Sequence, residues 1–211
     1  MGTFKSGILG GFSGKVGTVV GSRWRGIDYM RSRSTSTRKA GTPLQIEQRA
    51  KFARALRFVQ SMLDLIKIGF REQAKGMTEM NSALAYTLKN AITGTLPDFT
   101  IAYNAVLVTR GSLPNGLTPL ATPGAAGNIN FSWVDNSRIG KALPSDQAIL
   151  VAFCEELGQS VYVIAAARSA QAGVLNVPGF SGKTVQTWIS FISETRKDVA
   201  QSIFTGEVVV V

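Results

Sequence analysis

The sequence predicts an α+β chain: an N-terminal β-hairpin and a two-helix hairpin, followed by a C-terminal β-sandwich. Three observations carry that expectation. Residues 15–33 are β-rich around a glycine turn. Residues 42–95 place apolar side chains at helical spacing. From residue 99 onward the apolar period switches to two. The expected segments are a basic, glycine-rich stretch with the hairpin (1–41), the helical hairpin (42–95), a connecting strand and loop (96–116) and the sandwich (117–211).

In the first segment, "KVGTVVGSRW" and "IDYMRSR" read as two strands joined at Arg25-Gly26. Gly26 supplies the positive φ of a tight turn. Gly17 and Gly21 weaken a strand but allow close backbone approach. "RSTSTRKAG" then reads as a polar linker.

"TPLQ" starts a helix: Thr42 as N-cap, Pro43 at N1 and Gln45 completing a capping box. Phe52, Leu56, Val59, Leu63, Ile66 and Phe70 then form one apolar stripe on a long helix. Thr78 caps a second helix, with Met80, Leu84, Leu88 and Ala91 on its apolar side, ending near Gly94 and Pro97. Residues 99–109, 129–134, 147–154, 160–167, 172–177, 184–193 and 203–211 read as strands. Trp133 and Trp188 are expected as core anchors facing each other's sheets.

Composition bounds the function. The 211 residues are 45% hydrophobic, a globular composition. No apolar run of membrane-spanning length occurs, so no membrane partner is expected. The N-terminus lacks the apolar core of a signal peptide, so cytoplasmic synthesis is expected. The formal net charge is +10, and its placement is uneven. Residues 1–57 hold twelve Lys/Arg against Asp28 and Glu47; residues 58–211 hold eleven of each sign. Such asymmetry points to a polyanion or an acidic partner, with a solubilising face as the alternative.

Catalytic constellations fail on inspection. "GGFSGKV" lacks the first glycine and final hydroxyl of a phosphate-binding loop. "PGFSGKT" also lacks the first glycine and lies between strands. There is no histidine, which removes the common triads and His metal sites. Cys154, on an alternating strand, reads as a buried thiol. Glu155 and Glu156, adjacent on a strand end, point apart and form no dyad. Asp135 and Asn136 read as turn residues bonding their own backbone. Neither an enzyme, a cofactor nor a small-molecule substrate is expected.

The remaining signal is cations interleaved with aromatics, a pattern suited to phosphates and stacked bases. The candidate partner-binding residues are Arg23, Trp24, Arg25, Arg31, Arg33, Arg38, Lys39, Arg49, Arg54 and Arg57. In a hairpin, Arg23, Arg25, Arg31 and Arg33 are expected to share one face, leaving Trp24 on the other.

Two resemblances extend this reading. "INFSWVD", "AILVAFCEE" and "VLNVP…SGKTVQTWISFIS" resemble a fibronectin type III or immunoglobulin-like sandwich over residues 117–211. Over nearly the whole chain, "GGFSGKVGTVVGSRWRG", "TPLQIEQRAKF" and "NAITGTLPDFTIAYNAVLVTRGSLP" resemble a family of uncharacterised Bacteroidetes proteins of about this length. The "TPLQIEQRAKF" segment also resembles parts of phage virion proteins. The resemblances imply an Ig/fibronectin III-like C-terminal sandwich and carry over no activity. The functional expectation is a structural assembly protein, virion-like or otherwise homo-oligomeric, whose basic N-terminal segment contacts neighbouring subunits or nucleic acid. The alternatives are a non-assembling nucleic-acid-binding protein and an Ig-like module for protein or glycan.

Overall fold

The computed structural model describes residues 2–4, 11–34 and 40–211. The chain divides into two compact units, Met1–Thr42 and Pro43–Val211.

The first unit is an antiparallel meander of four strands in sequence order: β1 (Thr3–Phe4), β2 (Phe12–Val16), β3 (Val19–Trp24) and β4 (Ile27–Ser32). The expectation of one strand over Lys15–Trp24 is therefore corrected. Gly17-Thr18 is a turn, and Gly17 has a φ of 59°. The Arg25-Gly26 turn falls where the sequence placed it. Both residues take positive φ, 49° and 87°, as a type I′ hairpin turn requires.

In the second unit, α1 (Pro43–Ser61) begins at the expected proline. The single long helix expected to Phe70 is interrupted at Met62 and resumes as α2 (Leu63–Gly69). At the break the Ser61 carbonyl accepts a hydrogen bond from Ser160 Oγ at 2.7 Å, a tertiary contact that replaces a ladder bond. The break also changes the buried face. Phe58, Met62 and Leu65 join Val59, Ile66 and Phe70 in the core, whereas Phe52 is exposed. Helix α3 (Glu79–Asn90) has the expected cap, Thr78 Oγ1 accepting from the Asn81 N–H at 3.2 Å.

Helix α3 ends before Gly94. Residues 92–101 instead form a hairpin, β5 (Ile92–Thr95) with β6 (Asp98–Ile101). The strand expected over 99–109 thus ends at Ile101. Beyond a 3₁₀ turn at Tyr103–Ala105, residues 106–109 are buried and tied by side chains rather than by a ladder. Ser202 Oγ accepts from the Val108 N–H at 2.9 Å, and Thr109 Oγ1 donates to Ser190 Oγ at 2.7 Å.

The sandwich has seven strands. One sheet runs β11 (Ala172–Asn176), β8 (Asn128–Val134), β7 (Leu117–Pro123). The other runs β10 (Gln159–Ala167), β9 (Gln147–Cys154), β12 (Thr184–Ile192), β13 (Ile203–Val209). All pairings are antiparallel. The first, second and fifth sandwich strands share one sheet and the others the second, an immunoglobulin-like arrangement. Strand β7 escaped the sequence reading. Its Pro119 and Pro123 break the strand pattern, yet an edge strand tolerates them.

The four-stranded sheet is buried on both faces. Ala148, Leu150, Ala152 and Cys154 of β9 meet the three-stranded sheet; Ile149, Val151 and Phe153 meet the helices. This corrects the expectation that the two tryptophans face each other's sheets. Trp133 lies inside the sandwich against Phe191, ring centroids 5.4 Å apart. Trp188 lies on the opposite face with Phe58, Tyr103 and Phe204. A sheet covered by helices gives near-continuous apolar strands, so neighbouring residues of β12 serve different cores.

One end of the sandwich is closed by Arg168, fully buried with Asp146. Its Nη2 lies 3.1 Å from Asp146 Oδ2 and donates to the Pro114 carbonyl at 2.9 Å. Nη1 donates to Asn136 Oδ1 at 2.6 Å, and the guanidinium stacks 4.2 Å from the Phe191 ring centroid. The Arg168 carbonyl accepts from Trp133 Nε1 at 2.8 Å. Burial lowers the Arg168 pKa from its ordinary value, and the Asp146 carboxylate pulls it back up.

Candidate functional site

Register fixes which residues share a face of the N-terminal meander, because directly opposed residues project to the same side. The two-residue turn pairs Trp24 with Ile27, Arg23 with Asp28, Ser22 with Tyr29, Gly21 with Met30 and Val20 with Arg31. Strand β2 adds Lys15 beside Val20, and Val16 beside Val19. One face therefore carries Lys15, Arg31, Tyr29, Trp24 and Ile27. The other carries Val16, Val19, Met30, Arg23 and Asp28.

The arginines expected on one face are thus divided. Arg23 forms an exposed ion pair with Asp28 at 3.5 Å, so its face is charge-balanced. Arg31 lies on the opposite face with Trp24, the residue expected to stand apart from it. Arg25 lies in the turn, its guanidinium 5.8 Å from the Trp24 ring centroid. Arg33 follows β4, its N–H donating to the Thr18 carbonyl at 2.7 Å. Lys15 and Arg31 have no ion-pair partner among the described residues. Arg38 and Lys39 lie outside the described residues.

Both faces expose apolar area. Val16, Val19 and Met30 are exposed on the charge-balanced face, Met30 at 71%. Trp24, Ile27 and Tyr29 are exposed on the basic face. Gly21 is the buried residue of this unit among those described, because Phe12 lies over it. A Cβ at Gly21 would collide with the Phe12 carbonyl and ring. Among the described residues of this unit there is one sheet and no second layer packed on it.

The three candidate cations of α1 lie in the second unit and have different surroundings. Arg49 lines a shallow apolar groove with Phe52 and Leu88. Arg54 is ion-paired with Glu155. Arg57 is exposed and has no ion-pair partner among the described residues. Arg54 and Arg57 both line a pocket of about 270 Å³ between α1, the Tyr103 turn and the β9–β10 connection.

The pocket's apolar wall is an aromatic cluster. Phe58 and Phe153 meet edge to face at 5.0 Å, and Tyr103 lies 5.9 Å from Phe153. Arg54 Nε is buried without a hydrogen-bond partner among the described residues. Burial, then a hydrogen bond to Glu155 and the negative charge of that carboxylate, push the Tyr103 phenol well above its ordinary value. It is a protonated donor throughout the neutral range. Glu156 is held by Lys183 at 2.5 Å, which raises the Lys183 pKa.

Sequence reasoning missed Tyr103, Glu155 as an arginine partner, and Lys15. For Lys15 the missed signal was Gly17, a turn residue read as strand. For Tyr103 and Glu155 no local signal exists, since the Arg54–Glu155 contact joins residues 101 apart.

The chain belongs to a family described as "Family of unknown function (DUF6266)", whose profile matches residues 11–206. No curated protein matches it. Among solved structures it is similar to a crystal structure of the chicken CNTN1 FN1-FN3 domains. That match has 14% identity and a TM-score of 0.38, covering 47% of this chain and 35% of that one. It is also similar to a solution structure of the fn3 domain of the human collagen alpha-1(XX) chain. There the identity is 12% and the TM-score 0.36, over 48% of this chain and 92% of that one.

Proposed function

We propose that this member of the family is a non-enzymatic assembly protein whose N-terminal meander docks onto a second copy of the chain. The observation that supports this is the charge-balanced face carrying exposed Val16, Val19 and Met30. A sheet needs a covered apolar face for stability. Each such side chain, fully buried, contributes roughly 1.5–3 kcal/mol. The occupant follows from charge. Two copies meeting through this face bring together surfaces on which Arg23 is already neutralised by Asp28. Two basic faces would instead oppose uncompensated Lys15 and Arg31.

The basic face supports a second reading, contact with single-stranded nucleic acid. It sets two exposed aromatic rings, Trp24 and Tyr29, beside two unpaired cations, the combination that stacks bases and holds phosphates.

Light scattering at micromolar concentration, with and without an oligonucleotide, tests both. The wild type is expected to be oligomeric without nucleic acid, and Val19→Lys with Met30→Lys to reduce it to monomers. A monomeric wild type, or an unchanged mass in the variant, overturns the assembly reading. For the second reading, Lys15→Gln with Arg31→Gln should lower the salt slope of single-strand binding by about 1.4, at about 0.7 per phosphate contact. Arg23→Gln, on the other face, should leave the slope unchanged.

A further inference from the structure

We propose that the pocket between α1 and the β9–β10 connection binds the carboxylate of a ligand that also carries an apolar group of side-chain size.

The size follows from the volume. At about 270 Å³ the pocket lies at the small end of ligand sites, which run from about 300 to 1,000 Å³. It holds one side chain with its attached carboxylate. The apolar half of the ligand follows from the wall of Phe58, Phe153 and Ile101. Those rings belong to a cluster that continues into buried Trp188, 6.3 Å from Phe58, so the wall is formed before any ligand arrives.

The charge follows from which partners are already taken. Glu155 is neutralised by Arg54, and Glu156 by Lys183. Arg57 is the lining cation left without an ion pair among the described residues. The pocket therefore has one positive charge to offer.

The hydrogen-bonding character follows from an orphaned atom. Arg54 Nε is a buried donor without an acceptor among the described residues. Groups of this kind are rare in folded proteins because leaving one unpaired is costly. Such a donor beside the pocket, with Arg57 as a second, calls for a ligand rich in acceptors. A carboxylate supplies acceptor sites and the matching single negative charge. The same chemistry is offered by a free organic acid and by the C-terminus of a peptide.

Calorimetric titration of the full chain separates the outcomes. The probes are N-acetyl-phenylalanine, N-acetyl-leucine, the amides of both, and tetrapeptides ending in each residue with a free carboxylate. At least one acid should bind, and its amide at least about tenfold more weakly, as loss of a charge-assisted hydrogen bond implies. Arg57→Gln, at an exposed position, should weaken the acid about tenfold and leave the amide unchanged. Equal affinity for the free acid and the tetrapeptide identifies a small acid as the ligand; tighter binding of the tetrapeptide identifies a peptide C-terminus. No binding of any acid at millimolar concentration means a merely water-filled pocket and overturns the proposal. So does equal affinity for acid and amide, or full affinity in Arg57→Gln.

Discussion

Replacing Arg168 with methionine should destabilise the second unit by about 3–5 kcal/mol. The figure comes from what the substitution leaves behind. Methionine refills much of the volume and keeps contact with Phe191. It does not neutralise Asp146, which is fully buried and whose Oδ1 has no hydrogen-bond partner. It also strands Asn136 Oδ1 and the Pro114 carbonyl, both now satisfied by the guanidinium. Removing one member of a buried pair costs about 3–5 kcal/mol because the other charge is left uncompensated. Against a typical total stability of about 5–15 kcal/mol that is a large fraction. Urea unfolding followed by tryptophan fluorescence is a suitable assay, since Trp133 Nε1 is bonded to the Arg168 carbonyl. The companion variant is Arg168→Met with Asp146→Leu, which removes both charges. It should recover part of the loss, with a coupling energy of roughly 2–3 kcal/mol in the double-mutant cycle. A single variant costing under about 1 kcal/mol, or strictly additive costs, would refute the view that this pair holds the end of the sandwich together.

Two further outcomes are expected. Trp188→Ala should cost about 3–5 kcal/mol by leaving a cavity between the helices and the four-stranded sheet; near-native unfolding midpoints would show that the helices do not depend on it. Tyr103→Phe at pH 8 should cost about 0.5–1.5 kcal/mol, since it removes the hydroxyl that is hydrogen-bonded to Glu155. The raised Tyr103 pKa adds a pH dependence of known sign. Its contribution to stability is fully present below the ordinary tyrosine value of 10.0 and is lost as pH rises beyond it. The cost of Tyr103→Phe should therefore shrink above about pH 10, and a cost that grows there would contradict the shift.

The parts of the fold that were legible in the sequence are those fixed by local chemistry. Strands β8 to β13 were marked by apolar or β-branched runs bounded by turn residues, and α3 by its Thr78 cap. The misreadings share a different cause. The break at Met62 depends on Ser160, a residue of β10. Residues 106–109 are extended because Ser202 and Ser190 hold them, which gives a strand's periodicity without a ladder. Strand β7 is tolerated with two prolines only because of its edge position. The cations of the candidate site were legible as residue types, but their grouping was not. A single unread turn at Gly17-Thr18 and the register of Trp24 on Ile27 decide that Lys15 joins Arg31 and that Arg23 does not.

Departures from the usual rules of folding separate structural from functional features in this chain. A sequence selected for stability alone satisfies its buried polar groups and covers its apolar faces; departures concentrate where function requires them. The buried Arg168 is unusual but its guanidinium is bonded to Asp146, Asn136 and Pro114 and stacked on Phe191, so it reads as a structural device. Trp188 Nε1 and Gln186 Oε1 are buried without a partner among the described residues and sit inside the core, away from any surface a partner could reach. Two other places are not compensated in this way. Val16, Val19 and Met30 remain exposed on a sheet face whose charges, Arg23 and Asp28, balance each other. Arg54 keeps its Nε buried with no acceptor among the described residues. In the proposed readings each of these features becomes favourable once a second surface or an acceptor-bearing ligand is present. The exposed apolar face and the pocket beside Tyr103 are therefore where binding partners should be sought, ahead of the loops of the sandwich.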